Sequence, residues 1–443
     1  MPDSACLPRP VRSIAIVLLA SLLSLLSPPA ARSSEIDVQK PKPPKPAGFP
    51  VVPGVYRLDG TDPNLGTADL EPLRGIIGGA PVVALGESVH TSGGYYEMKH
   101  RIFRFLVEKM GFRVFAIENN WEWTDSLGHY VQTCSGTSEE AMSRLYGVWK
   151  STEVRDLVEW MCAWNRSHPK PKDRLHLFGF DTQQPEDDGR ALLAFLARIG
   201  VGPDHAWAAG VRVCDGVETY NRTPLDDGIY LPCTAALDAI GRHFDQNARQ
   251  ITRQTSAADL AWARIRLTGL RGWQGQRRYV PATPEFYESR DAAMAYVFRS
   301  IRQLRHPKLR TAIWAHNVHI WESPHPTVNW ASMMGAHLRA AYGRGYVTLG
   351  LVGSSVEIDS PGFIGCDPMP APPADSVEAK LEGLGTGGAL LADLVSPARP
   401  PFFPPGQTYD LYHGNVEPRL YFDGIIWLQH SPPMTPIDQQ SCR

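Results

Sequence analysis

Four short apolar runs, each closing on a polar residue, constrain this chain more than any other feature. Residues 81–85 (PVVAL) stop at Gly86-Glu87, 114–117 (VFAI) at Glu118, 175–180 (LHLFGF) at Asp181 and 311–315 (TAIWA) at His316. Apolar runs of this length without polar alternation read as strands buried on both faces, the habit of parallel sheets. After the first run, Tyr95, Met98, Ile102, Phe105, Leu106 and Met110 keep helical spacing, Thr91-Ser92 can cap that helix, and Gly111 stops it. Strand, helix, strand in this order is a βαβ unit with a right-handed crossover. Helical patterns at about 139–164 and 333–342, and strand patterns at 346–352 and 425–428, continue the alternation. The expectation is an α/β fold: a mostly parallel central sheet with helices on both faces. A largely helical insertion occupies about 186–305.

The amino end has a different character. Arg9 and Arg12 precede a 13-residue apolar stretch, 14–26, followed by Ser27-Pro28-Pro29-Ala30-Ala31. Charge, short apolar core and small residues, in that order, predict a cleaved signal peptide over 1–31 and a secreted or periplasmic protein with no membrane span after cleavage. Residues 32–53, densest in Pro and Lys at 40–50 (KPKPPKPAGFP), read as a stiff solvated linker, leaving 54–443 as the folded domain. Export changes the cysteine reading. Six cysteines follow the leader, without CxxC or Cys/His metal spacing, and Cys214 and Cys233, which bracket a short polar loop, are the favoured disulfide. Lys and Arg number 44 against 46 Asp and Glu, a net charge of −2, so there is no basic field to hold a phosphate backbone and nucleic acid is not an expected partner.

The polar residues that close the strands are the candidate site. In an open α/β sheet the carboxyl ends of parallel strands converge on the ligand crevice. Glu87 and His90 follow the first strand, Glu118 ends the second, Asp181 the third, and His316 with His319 the fourth. The common catalytic signatures are missing. No serine sits in Gly-x-Ser-x-Gly, and His-Glu-x-x-His does not occur. The glycine-rich stretch 383–388 follows a charged helical segment instead of a strand, so it reads as a helix end and not a nucleotide loop. Histidines and carboxylates without a nucleophile suit general-base activation of water, and equally suit a divalent metal ion.

Several motifs carry a resemblance. Gly86-Glu87-Ser88-Val89-His90 with the following YYEMKHRIFRFLVEKMGFRVFAIENNWEW, LFGFDTQ at 177–183, WAHNVHI at 314–320 and MMGAHLRAAYGRGYVTLGL at 333–351 together resemble the erythromycin esterase family, in order over roughly 80–430. The resemblance implies a hydrolase of ester or lactone bonds acting through activated water. His90 matches the catalytic base, and Glu87, Glu118, His316 and His319 match other active-site positions. Lys99 stands where antibiotic-inactivating members carry Arg; it keeps the charge but loses the bidentate fork. Thr91-Ser92-Gly93-Gly94 departs from the family's usual residues.

Three functional readings follow. In the first, a metal-independent hydrolase acts on a small-molecule ester or lactone, macrolides being the antibiotic-resistance extension. His90 takes a proton from water, Glu87 or Glu118 orients it, and Lys99 or His316 stabilises the oxyanion. Asp181, His319, Trp121 and Trp123 border the substrate. In the second, Glu87, His90, Glu118 and His316 hold a divalent ion in a hydrolase or protease. In the third, the chain is a non-catalytic, envelope polysaccharide-associated binding protein.

Overall fold

The computed structural model describes residues 50–215, 225–279, 283–323, 331–361, 364–395, 400–411, 414–437 and 441–442. The expected leader and the linker as far as residue 49 lie outside them. The strands are β1 (Pro50–Val52), β2 (Val55–Leu58), β3 (Val82–Leu85), β4 (Phe112–Asn120), β5 (His176–Asp181), β6 (Arg310–Trp314), β7 (Tyr346–Val356), β8 (Ala389–Asp393), β9 (Tyr409–Leu411), β10 (Gly414–Val416) and β11 (Gly424–Ser431). The helices before β5 are α1 (Pro72–Ile77), α2 (Gly93–Met110), α3 (Asp125–Thr133), α4 (Ser138–Met142) and α5 (Thr152–Ser167). Between β5 and β6 come α6 (Pro185–Arg198), α7 (Ala206–Asp215), α8 (Asp227–Gln246), α9 (Ala248–Gln254), α10 (Ala257–Arg278) and α11 (Pro284–Arg305). The short α12 (Asn317–Ile320), then α13 (Met334–Tyr342) and α14 (Val377–Glu382), follow β6 and β7.

Nine strands form one sheet in the order β1-β2-β8-β11-β7-β3-β6-β4-β5, and β9 pairs with β10 apart from it. From β11 to β5 all pairings are parallel; β8 joins β11 antiparallel, and β2 and β1 continue that edge. The alternation within each buried strand sets the two faces. Val83, Leu85, Phe115, Ile117 and Trp314 join α2, α3 and α5 in one core, while Val82, Ala84, Val114, Ala116 and Ile313 join α11 and α13 in another. The insertion has a core of its own, built by α6 to α10 around Phe195, Leu237 and Phe244.

Topology locates the crevice. From β3 the chain crosses through α2, on one face, to β4; from neighbouring β6 it crosses through α13, on the other face, to β7. Adjacent strands whose connections leave in opposite directions form a topological switch point, and the space above their carboxyl ends is open to a ligand.

The structure departs from the sequence reading at several places. The single helix expected over 139–164 is α4 and α5, separated by a 3-10 turn at Gly147–Trp149; Ser151 restarts the helix by accepting a hydrogen bond from Val154 N–H. Ser92 occupies the cap position of α2, but its hydroxyl pairs with Ser431 Oγ at 2.7 Å. Residues 50–52, read above as the end of the solvated linker, form β1 and pair with β2 at the antiparallel edge of the sheet, and β2 and β8 are short strands without a clear sequence signal. Cys214 pairs with Cys233 as favoured, and Cys134–Cys162 and Cys366–Cys442 are also bonded. No helix among the described residues is long and apolar enough to cross a membrane.

Candidate active site

The loops after β3 and β6 meet because Gly86 has no side chain. A Cβ there would overlap the side-chain oxygen of Asn317. Backbone bonds lock the approach: Gly86 N–H donates to Leu349 O (2.8 Å) and Asn317 N–H to Glu87 O (2.8 Å). This brings the His90 and His316 rings to 5.1 Å between centroids, edge to face.

The first arm of the site is Lys99–Glu87–His90. Glu87 is fully buried and accepts from His90 Nδ1 at 2.6 Å, Lys99 Nζ at 2.7 Å and Trp314 Nε1 at 3.1 Å. Lys99 also donates to Ala315 O at 3.3 Å and lies 4.7 Å from the centre of the Trp314 ring. Burial pulls the ammonium down and Glu87 only partly restores it, leaving Lys99 at about 8. Because Nδ1–H points at the carboxylate, His90 Nε2 is the basic nitrogen, and the side chain is 17% exposed against 0% for Glu87. Trp149, delivered by the turn before α5, packs edge-on to the His90 ring at 5.0 Å.

His316 caps α12. Its Nδ1 accepts from Val318 N–H at 3.2 Å, so Nε2–H is the donor to Ser88 O at 3.0 Å. Burial, reinforced by His90 and His319, holds this imidazole well below its usual pKa, and it stands neutral.

The second arm is organised by Arg290, from α11 of the insertion. Its Nε and Nη2 grip Asp181 at 3.0 and 2.8 Å, and Nη2 also reaches Glu118 Oε1 at 2.9 Å. Glu118 Oε2 accepts the His316 backbone N–H at 2.8 Å, tying this arm to the first. His319 Nδ1 donates to Asp291 Oδ1 at 2.7 Å. Its Nε2 stands 3.0 Å from Arg290 Nη1, which can only donate, and 3.3 Å from Glu118 Oε1, which can only accept. Burial works against a charge on His319, but Asp291 and Glu118 outweigh it and push the pKa up to about 10. The two carboxylates favour a charged ring with Nε2–H toward Glu118, while the Arg290 N–H favours a neutral one that accepts at Nε2. Burial alone would raise Glu118, yet His319 and Arg290 hold it well below the carboxylate range.

The strand-end residues thus divide into two sets. Glu87, His90, Lys99, Glu118, His316, His319 and Asp181 are linked by the contacts above. Lys99, expected as an oxyanion donor, instead stands behind Glu87 with no exposure, and Asp181, expected at the substrate, is fully enclosed by Arg290, Thr182 and Gln183. Trp121 and Trp123 do not border His90. Trp121 donates to Asp188 (3.1 Å) and stacks on Trp262, while Trp123 donates to Asp187 (2.7 Å). Trp121 and Trp262 instead line a surface cavity of about 380 Å³ against the insertion, which no residue of the two arms lines.

Arg290 and Asp291 escaped the sequence reading, although a signal existed. They extend the stripe of Met294, Phe298 and Ile301 at helical spacing, and charged residues on a buried stripe require partners. The same geometry bears on the metal alternative. Lys99 and Arg290 place cations on the two carboxylates that would be ligands. Among the described residues, no three His, Cys, Asp or Glu are grouped to hold an ion.

A mostly parallel α/β sheet of this kind is a fold shared with known proteins. The family model described as Erythromycin esterase matches residues 107–431, and the chain belongs to that family. The match contains Glu118, Asp181, Arg290, His316 and His319, while Glu87, His90 and Lys99 precede it. Erythromycin esterase type II of Escherichia coli is 22% identical over 411 residues, covering 85% of this chain and 95% of that protein. A Bacillus cereus crystal structure matches with TM-score 0.71 at 20% identity, over 86% of this chain and 96% of the other. A mutant of the erythromycin esterase EreC, in its open conformation, matches with TM-score 0.67 at 18% identity, over 85% and 97%. Membership makes this chain a hydrolase resembling erythromycin esterase, with a small-molecule substrate.

Proposed function

We propose that the chain hydrolyses carboxylic ester or lactone bonds with a water activated by His90. The observation that carries this reading is the state of the His90 ring: Nδ1 is pinned to Glu87, while Nε2 has no bond to a protein group among the described residues and the ring reaches the surface. A base so oriented can take a proton from water as the oxygen attacks a carbonyl carbon, and can return it to the leaving alkoxide. Glu87 stabilises the imidazolium formed in between, and Lys99 holds Glu87 in place. His316 Nε2–H, bonded to Ser88 O in the resting site, is the proposed donor to the oxyanion.

A panel of chromogenic esters and macrolide lactones tests the reading. Turnover that persists after dialysis against EDTA is expected, since Lys99 and Arg290 do the charge balancing. Activity lost with EDTA and restored by a divalent ion would transfer the site to metal chemistry.

Lys99 also imposes a pH limit. Its proton leaves the folded site near 8 rather than at the ordinary 10.5, so above about pH 8 Glu87 loses its counter-charge and kcat falls. The stability term runs the other way. Between those values the unfolded chain holds the proton that the fold releases, so this group's contribution to stability rises with pH. In Lys99→Arg the guanidinium stays charged, and the alkaline limb of the kcat profile should disappear. A limb unchanged in that variant would assign it to another group.

Export rests on the order of charged, apolar and small residues in 1–31 and accords with three closed disulfides. Amino-terminal sequencing of the mature protein should begin near residues 31–33; an uncleaved chain recovered from the cytoplasm would contradict it.

A further inference from the structure

After β11 the chain runs across the loop that carries His90. Gly93 N–H donates to Pro432 O at 2.7 Å, and Met434 N–H donates to Thr91 O at 2.9 Å. A side chain at Gly93 or Gly94 would collide with this segment. Further on, Thr152 N–H donates to Thr435 O at 2.9 Å and Ile437 N–H to Lys150 O at 2.9 Å, so the same segment steadies the turn that presents Trp149 to His90. The end is tied down separately. Ser441 Oγ and Cys442 N–H donate to the two oxygens of buried Asp359, at 2.5 and 2.9 Å. Asp359 N–H donates to Thr91 O at 3.4 Å, and Cys442 is bonded to Cys366.

Both ties meet on the carbonyl of Thr91, the residue after His90. Thr91 has φ +67°, a left-handed conformation that a β-branched residue resists. Such a conformation persists only where its surroundings hold it. The three disulfides are also unequal. Cys214, Cys233 and Cys162 are buried and Cys134, like Cys442, is half-buried, whereas Cys366 alone of the six is exposed. An exposed disulfide is the one a thiolate can attack.

We propose that the Cys366–Cys442 disulfide is a thiol switch that holds the C-terminal clasp, and through Thr91 the base His90, in its working position. A dithiol reductant opens it. One thiolate attacks a sulfur of the bridge, the other sulfur of the bridge leaves as a thiolate, and the second thiol of the reductant closes a new disulfide on itself. Two electrons and two protons pass to the protein, giving two cysteine thiols. The clasp then loosens while the sheet stays folded. The activity part of this proposal rests on the role given to His90.

The test titrates the oxidised full chain with dithiothreitol, traps thiols by alkylation and identifies the opened bridge by mass spectrometry. Where only Cys366–Cys442 is open, kcat on a chromogenic ester should fall by about 10- to 100-fold, the scale of a catalytic group displaced by an ångström. It should return on reoxidation. Amide exchange at Gly93 and Met434 should accelerate, with unchanged far-ultraviolet circular dichroism. Cys442→Ser should reproduce both effects without reductant; if that variant does not fold, the titration of wild-type protein decides. An opened bridge with unchanged exchange overturns the clasp, and faster exchange with unchanged kcat overturns its hold on His90. Should the oxidised chain hydrolyse no ester at all, the ester reading fails, and amide exchange alone decides the clasp.

Discussion

Replacing His90 with alanine is expected to lower kcat by about 10²–10⁴-fold, the usual worth of a positioned general base. The fold should not suffer in proportion. His90 is partly exposed, and its removal leaves Glu87 still paired with Lys99 and Trp314. A melting temperature within a few degrees of wild type, measured beside the kinetics, is therefore part of the expectation. Retained turnover with a large loss of stability would make His90 a packing residue and end the mechanism.

Arg290→Met should be costly in a different way. The guanidinium joins Asp181 and Glu118 inside the protein, and its loss leaves two carboxylates close together with only His319 in compensation. Removing one partner of a buried charge cluster costs about 3–5 kcal/mol, to be read from chemical denaturation. The sign of the pH dependence is specific. Glu118 now sits well below its ordinary range, so its contribution to stability is present above that range and is lost as pH falls. The variant has already forfeited part of that contribution, so its deficit relative to wild type should narrow in acid. Adding Asp181→Asn should recover part of the loss at neutral pH. A single variant as stable as wild type would show that Glu118 and Asp181 do not depend on the guanidinium.

The legibility of the molecule in its sequence follows from what is local. Buried parallel strands advertise themselves, so 81–85, 114–117, 175–180 and 311–315 form four neighbouring strands, β3-β6-β4-β5, and their closing residues converge along that half of the sheet. The break between α4 and α5 was harder to read, because Gly147 and Ser151 are ordinary residues whose effect depends on packing. Trp314 lies in a run that reads as a buried strand and is core, yet its indole N–H also holds Glu87, a contact that the register of β6 against β3 creates. Trp121 and Trp123 illustrate the converse. Proximity in sequence to Glu118 suggested the crevice, but the chain turns after β4 and points both indoles at α6. Arg290 lies 172 residues from the glutamate it binds, and no spacing rule links the two.

That long reach has a consequence for how this architecture can diversify. The helices between β5 and β6 look like an appendage that could be exchanged wholesale, but α11 carries the guanidinium without which Glu118 and Asp181 repel. Its inner face is also part of the main core, through Met294, Phe298 and Ile301. The helices α7 to α9 contribute their buried residues to a separate core. Transplanting a foreign insertion should therefore succeed only when the graft ends before α11. Freedom to vary resides in α7 to α9, whereas α11 is bound to the central sheet through the core they share.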